Sequence, residues 1–132
     1  MINPIHGGEN ILKNVMILFA AATLAALPAL AQAAETRCGW ISNPTPRNWW
    51  LDDRDKTWTI MTQGPDDQEP EGMDLVPDIS EKEYVRTNGN YGYACACLSV
   101  ETDGDERITR IISFRQLKLS QCRNDKALKF KG

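Results

Sequence analysis

The 132-residue sequence predicts a mainly β fold, a small antiparallel sheet or half-barrel held by two disulfides, on three observations. Short alternating runs are separated by turn formers. The cysteines number four. The strongest strand signal, Tyr91-Gly92-Tyr93-Ala94-Cys95-Ala96-Cys97-Leu98-Ser99-Val100, carries two of them and makes this Cys-x-Cys strand the predicted centre of the sheet. Side chains alternate faces along a strand, so Tyr91, Tyr93, Cys95 and Cys97 share one face and Gly92, Ala94, Ala96 and Leu98 the other. The small residues of the second face imply a closely packed neighbour. The two thiols on the first face stand roughly 7 Å apart at Cβ, whereas a disulfide needs about 3.5–4.5 Å. Each must therefore find Cys38 or Cys122.

The chain opens with Lys13, an apolar run from Val15 to Leu27, Pro28 and the small-x-small triplet Ala31-Gln32-Ala33. Residues 1–33 read as a secretory signal peptide, leaving 34–132 as one domain, periplasmic or secreted, with no membrane span after cleavage. Processing removes Lys13 and Glu9, so the formal charge stays at −3, too small and too mixed to imply a nucleic-acid partner. It also removes His6, the one histidine. A mature domain without histidine has no Ser-His-Asp or Cys-His nucleophile and no histidine-ligated metal, while carboxylate-pair chemistry stays open. Nothing in the sequence implies a cofactor.

Arg37-Cys38-Gly39-Trp40-Ile41 reads as a brief first strand, stopped by Asn43-Pro44-Thr45-Pro46 because proline lacks the ladder donor. Trp49-Trp50-Leu51, the polar turn Asp52–Lys56, and Thr57-Trp58-Thr59-Ile60-Met61-Thr62 read as a tryptophan-rich hairpin. Its second strand places Trp58 and Ile60 on one face and Thr57, Thr59 and Met61 on the other. Residues 64–74 are acidic, rich in Gly and Pro and without period, and are expected to form a mobile surface loop. Glu83–Thr87, an Asn88-Gly89 turn, the central strand, a turn near Gly104 and Arg107–Phe114 then predict a three-stranded meander with the cysteine strand in the middle. Ser120 is a plausible N-cap for a short C-terminal helix containing Cys122.

In that meander Cys95 lies farther from the Gly104 turn than Cys97, so it faces later residues of the next strand, nearer to Cys122. This favours Cys95–Cys122 with Cys38–Cys97; the rival pairing is Cys38–Cys95 with Cys97–Cys122. A tetrathiolate metal site is disfavoured, since only one cysteine pair has zinc-like spacing, and an even count in an exported chain reads as disulfides. Asp53, Asp55, Asp103, Asp105 and Glu106 form no complete calcium loop and read as turn residues.

Arg37-Cys38-Gly39-Trp40, Asn43-Pro44-Thr45-Pro46, Asn48, Trp50-Leu51, Tyr91-Gly92-Tyr93 with Cys95 and Cys97, and Cys122-Arg123 with Asp125 resemble a family of exported bacterial proteins known as domain of unknown function 4087. The resemblance implies a bacterial periplasmic or secreted setting and transfers no catalytic or binding residue.

All four tryptophans lie between Trp40 and Trp58. Trp49 and Trp50 are adjacent, so in a strand they face opposite ways, and at least one is expected to be exposed. With Arg47 and Asn48 beside them they form the candidate ligand or partner surface, a stacking plane with polar tips. The sequence therefore reads as a non-enzymatic binding or inhibitory module of the envelope, engaging a glycan or a protein. The alternative is a carboxylate-dependent hydrolase of cell-wall polymers, which needs two carboxylates about 5–9.5 Å apart with one pKa raised.

Overall fold

The structure is a computed structural model and describes residues 33–65 and 68–130. The predicted signal peptide, except Ala33, lies outside them. Among the described residues six strands form one sheet: β1 (Glu35–Thr45), β2 (Asn48–Asp53), β3 (Thr57–Met61), β4 (Val85–Asn88), β5 (Tyr91–Thr102) and β6 (Ile108–Leu117). A short helix α1 (Leu119–Arg123) follows β6, and two 3-10 turns, Met73–Leu75 and Ile79–Glu81, lie between β3 and β4. Among the described residues no helix is long and apolar enough to cross a membrane. The mainly β, antiparallel, disulfide-linked fold is thus the one the alternating runs predict.

The cysteine strand β5 is central, although its neighbours differ from a simple meander. β1 pairs along one edge, from Glu35 opposite Val100 to Asn43 opposite Gly92. β4 and β6 share the other edge end to end, β4 against Tyr91–Tyr93 and β6 against Cys95–Thr102. The turn from β4 into β5 uses Gly89 and Asn90, with Asn88 opposite Tyr91. Gly89 takes φ 56°, a conformation glycine adopts without a Cβ clash.

Two local expectations change. β1 continues through Pro44 to Thr45, because the proline sits in a register irregularity between Ser42 and Thr45 where no ladder donor is required. A second irregularity, between Trp49 and Trp50 on β2, leaves Ile60 of β3 unpaired, so Met61 turns inward and is buried beside Trp58 and Ile60.

The sheet curls until β3 meets the start of β6, where Thr59 N–H donates to the Glu106 carbonyl at 2.8 Å. The interior of this half-barrel holds Ile41, Leu51, Trp58, Ile60, Ala94, Ala96, Leu98, Val100, Ile108 and Ile111. Ala94 and Ala96 are fully buried, and their small size admits the larger side chains opposite. Half of the stretch read as a mobile loop lies along β6: Glu71 N donates to Thr109 O at 3.2 Å, and Ile111 N donates to Glu71 O at 2.7 Å.

The outer face of β5 carries Cys95 and Cys97. Cys97 bonds Cys38, its register partner on β1, and Cys95 bonds Cys122 on α1, the predicted connectivity. The helix starts after Lys118 rather than Ser120. Its disulfide and the tail beyond it enclose a second, outer core of Trp40, Cys95, Cys122 and Leu128. Trp40 Nε1 donates to the Phe130 carbonyl at 3.0 Å, and the rings of Trp40, Tyr93 and Phe130 meet edge to face.

Candidate functional site

Arg47 and Asn48 lie in the tight turn between β1 and β2, where Thr45 faces Asn48 across Pro46 and Arg47. Proline holds φ near about −65°. Arg47 takes φ 64°, which gives the sign pattern of a type II turn. The buried Asn43 clamps this turn, its Nδ2 donating to the Thr45 and Asn48 carbonyls at 2.8 Å each. Asn48 Nδ2 donates to Thr45 Oγ1 at 2.5 Å, and its Oδ1 accepts from Gln63 N at 2.9 Å. Asn48 therefore serves to hold the turn, and Arg47 stands exposed at its tip.

Trp49 and Trp50 project to opposite faces, and both are half-buried rather than one being fully exposed. Trp50 stands on the outer face between Ser42 of β1 and Thr59 of β3. Trp49 points inward and packs against the main core at the end of the half-barrel. There it lines an open groove of about 380 Å³ together with Asn43, Tyr91, Asn90 and the segment Val76–Ile79. The four predicted residues are thus divided: Trp49 enters a concavity, and Trp50, Arg47 and Asn48 do not line it. Tyr91, Asn90 and Pro77 were not legible as its partners, because they arrive from loops far along the chain.

The groove combines an indole and a phenol with apolar Val76, Pro77 and Ile79 and with polar tips from Asn90 and Asp78. Its volume falls within the range of about 300–1,000 Å³ common to ligand sites. Asp78 accepts from Ser80 Oγ at 2.6 Å and Ser80 N at 2.9 Å, and these bonds hold its carboxyl below the usual range. The rim therefore carries a fixed negative charge. Such a surface can stack on a flat or apolar ligand face and accept hydrogen bonds from hydroxyl, amide or ammonium groups.

A larger hollow, about 450 Å³, lies at the opposite end of β1 and is lined by Glu35, Arg37, Asp55, Lys56, Trp58 and Thr102 among others. Arg37 organises it. Its Nη2 pairs with Glu35 at 2.8 Å, and its Nη1 pairs with Asp55 at 2.7 Å and Asp53 at 3.1 Å. Its guanidinium lies 4.6 Å from the centre of the Trp58 ring, and Lys56 Nζ lies 4.9 Å from the same ring. Asp53 also accepts from Trp58 Nε1 at 2.9 Å, Asp55 N at 2.8 Å and Lys56 N at 2.9 Å. Burial alone would push the Asp53 carboxyl up, but the bonds from Lys56, Asp55, Trp58 and Arg37 together outweigh it and hold it down. Asp53 is thus held as an anion at the centre of an ion network that joins β1 to the β2–β3 turn. Among the described residues no three of His, Cys, Asp or Glu converge as a metal site requires.

No curated protein and no solved structure matches this chain. A family model described as "Protein of unknown function (DUF4087)" matches residues 32–129, nearly all of the β domain and both disulfides, and the chain belongs to that family.

Proposed function

We propose that the domain is a non-enzymatic binding or inhibitory module of the bacterial envelope, periplasmic or secreted, and that its ligand seats in the Trp49–Tyr91 groove. The groove itself carries this reading: an indole and a phenol border one concavity with polar groups at its rim, and the nearby Asn43 clamp preorganises its floor. The exported setting is supported by two disulfides, which persist in oxidising compartments, and by the resemblance of the apolar run Val15 to Leu27 and the Ala31-Gln32-Ala33 triplet to a secretory leader.

Acid–base hydrolysis is the competing class. A glycosidase-like pair needs one carboxyl raised in pKa, and Asp53, Asp78 and Asp103, each held low, do not supply it. The test uses intrinsic tryptophan emission of the exported protein during titration with soluble peptidoglycan fragments, alongside capture of partners from envelope extract on immobilised protein. Saturable binding that Trp49→Ala abolishes and Trp50→Ala preserves is the expected result. Equal retention by both variants would remove the groove from the reading, and time-dependent release of reducing sugar ends would replace it with hydrolysis.

A further inference from the structure

The two disulfides on the outer face of β5 have opposite surroundings. Cys95 and Cys122 are 1% and 3% exposed, roofed by Trp40 and Leu128 and flanked by Tyr93, Leu117 and Leu119. Cys38 is exposed and Cys97 half-buried, and neither belongs to the main core or to the outer one. Cys38 opens onto a concavity of about 250 Å³ whose other lining residues are Thr36, Arg37, Asp53, Arg54, Asp55 and Asp125, a wall of mixed charge. On the other side Cys97 stands directly opposite Arg115 of β6, which is itself exposed. Directly opposed side chains in an antiparallel pair have Cβ atoms about 4.5–5.5 Å apart, within reach of a guanidinium on a neighbouring sulfur.

We propose that Cys38–Cys97 is a site of thiol–disulfide exchange with a protein dithiol, while Cys95–Cys122 stays closed as the structural bridge. Exchange needs an approach to one sulfur and a leaving sulfur that tolerates negative charge. Cys38 offers the approach. The incoming thiolate bonds to Cys38 Sγ, the Cys38–Cys97 bond breaks, and Cys97 leaves as a thiolate beside Arg115. The second thiol of the dithiol, losing its proton to water, attacks the mixed disulfide, forms the reductant's own disulfide and releases Cys38 as a thiolate. Each released thiolate then takes a proton from water. One dithiol is oxidised and one disulfide reduced, with two electrons passed.

The sheet tolerates this opening. β1 pairs with β5 from Glu35 to Asn43 on either side of the bridge, and neither Cys38 nor Cys97 belongs to either buried core. Opening Cys95–Cys122 would instead free the tail that covers Trp40. The redox state of Cys38–Cys97 can therefore change without unfolding the domain.

The test exposes the oxidised, exported protein to a thioredoxin-type dithiol protein, quenches with acid, alkylates the thiols and maps them by mass. Alkylation of Cys38 and Cys97 at least about tenfold faster than of Cys95 and Cys122, with Trp40 emission unchanged, is expected. A reductant lacking its resolving cysteine should trap a mixed disulfide on Cys38. Arg115→Ala should slow opening several-fold without moving the urea midpoint. The proposal is overturned if Cys95–Cys122 opens as fast as Cys38–Cys97, if both open only at the rate of global unfolding, or if the trapped adduct sits on Cys97.

Discussion

Replacing Asp53 by Asn removes the charge on which the β2–β3 turn and the Arg37 network both converge. Asp53 is 6% exposed and receives four donors, two backbone amides on Oδ1 and Trp58 Nε1 with Arg37 Nη1 on Oδ2. An asparagine presents one oxygen and one NH2, so whichever way it turns, two donors face a donor. Each buried unsatisfied donor costs about 1–3 kcal/mol, and breaking a buried charged pair by removing one partner costs about 3–5 kcal/mol. Asp53→Asn should therefore lower stability by about 4 kcal/mol at pH 7, a large part of the roughly 5–15 kcal/mol typical of a domain. In urea, with a slope of about 1–3 kcal/mol per molar, the midpoint falls by about 2 M. The pH dependence separates this account from simple mispacking. The folded carboxyl lies below its unfolded value of about 3.9, so its contribution is whole above that value and is lost as pH falls through the lower folded pKa. The gap between wild type and variant should stay constant from about pH 7 to 5 and narrow below about pH 4, because the variant has nothing to titrate there. A gap under about 1 kcal/mol at neutral pH, or one that persists undiminished in acid, would refute the reasoning.

Trp49→Ala should destabilise by about 2 kcal/mol, roughly half the loss for a fully buried tryptophan, since Trp49 packs on the core with part of its ring in the groove. Chemical denaturation measures it, and a value near zero would mean that the ring does not pack there. Gly72→Ala and Gly89→Ala form a matched pair with φ 80° and 56°. A Cβ at Gly72 would sit 2.0 Å from the Ile111 carbonyl oxygen, whereas at Gly89 it meets nothing within 4 Å. Thermal melts should give about 1 kcal/mol for Gly89→Ala and at least about twice that for Gly72→Ala. Replacing both Cys95 and Cys122 by Ser should cost about 3.5 kcal/mol in the chain-entropy model, from the separation of 27 residues, and should expose Trp40 to fluorescence quenchers. Exported protein should begin near Ala34 and show no titratable thiol in its resting state; intact mass with thiol titration checks both.

The sequence by itself determined the order of the strands, the faces of β5 and the cysteine arithmetic, because these follow from local rules. Period-2 alternation sorts Cys95 and Cys97 from Ala94 and Ala96 whatever the rest of the chain does. The disulfide connectivity was legible for the same reason, since distance from the Gly104 turn sets which cysteine faces the departing end of β6. Only the tertiary structure decided that β1, rather than β4, takes the second edge of β5, a pairing between segments far apart in the chain that is fixed by burial of Ile41 and Ala96 in one core. A register irregularity that no propensity reports turned Met61 inward. The predicted tryptophan surface was divided because alternation sends Trp49 and Trp50 to opposite faces, while closure of the half-barrel chooses which one meets Tyr91. Arg37 had no sequence signal as a hub: Glu35, Asp53 and Asp55 gather around it only when β1 lies beside β2, and side-chain contacts across a sheet are set by register.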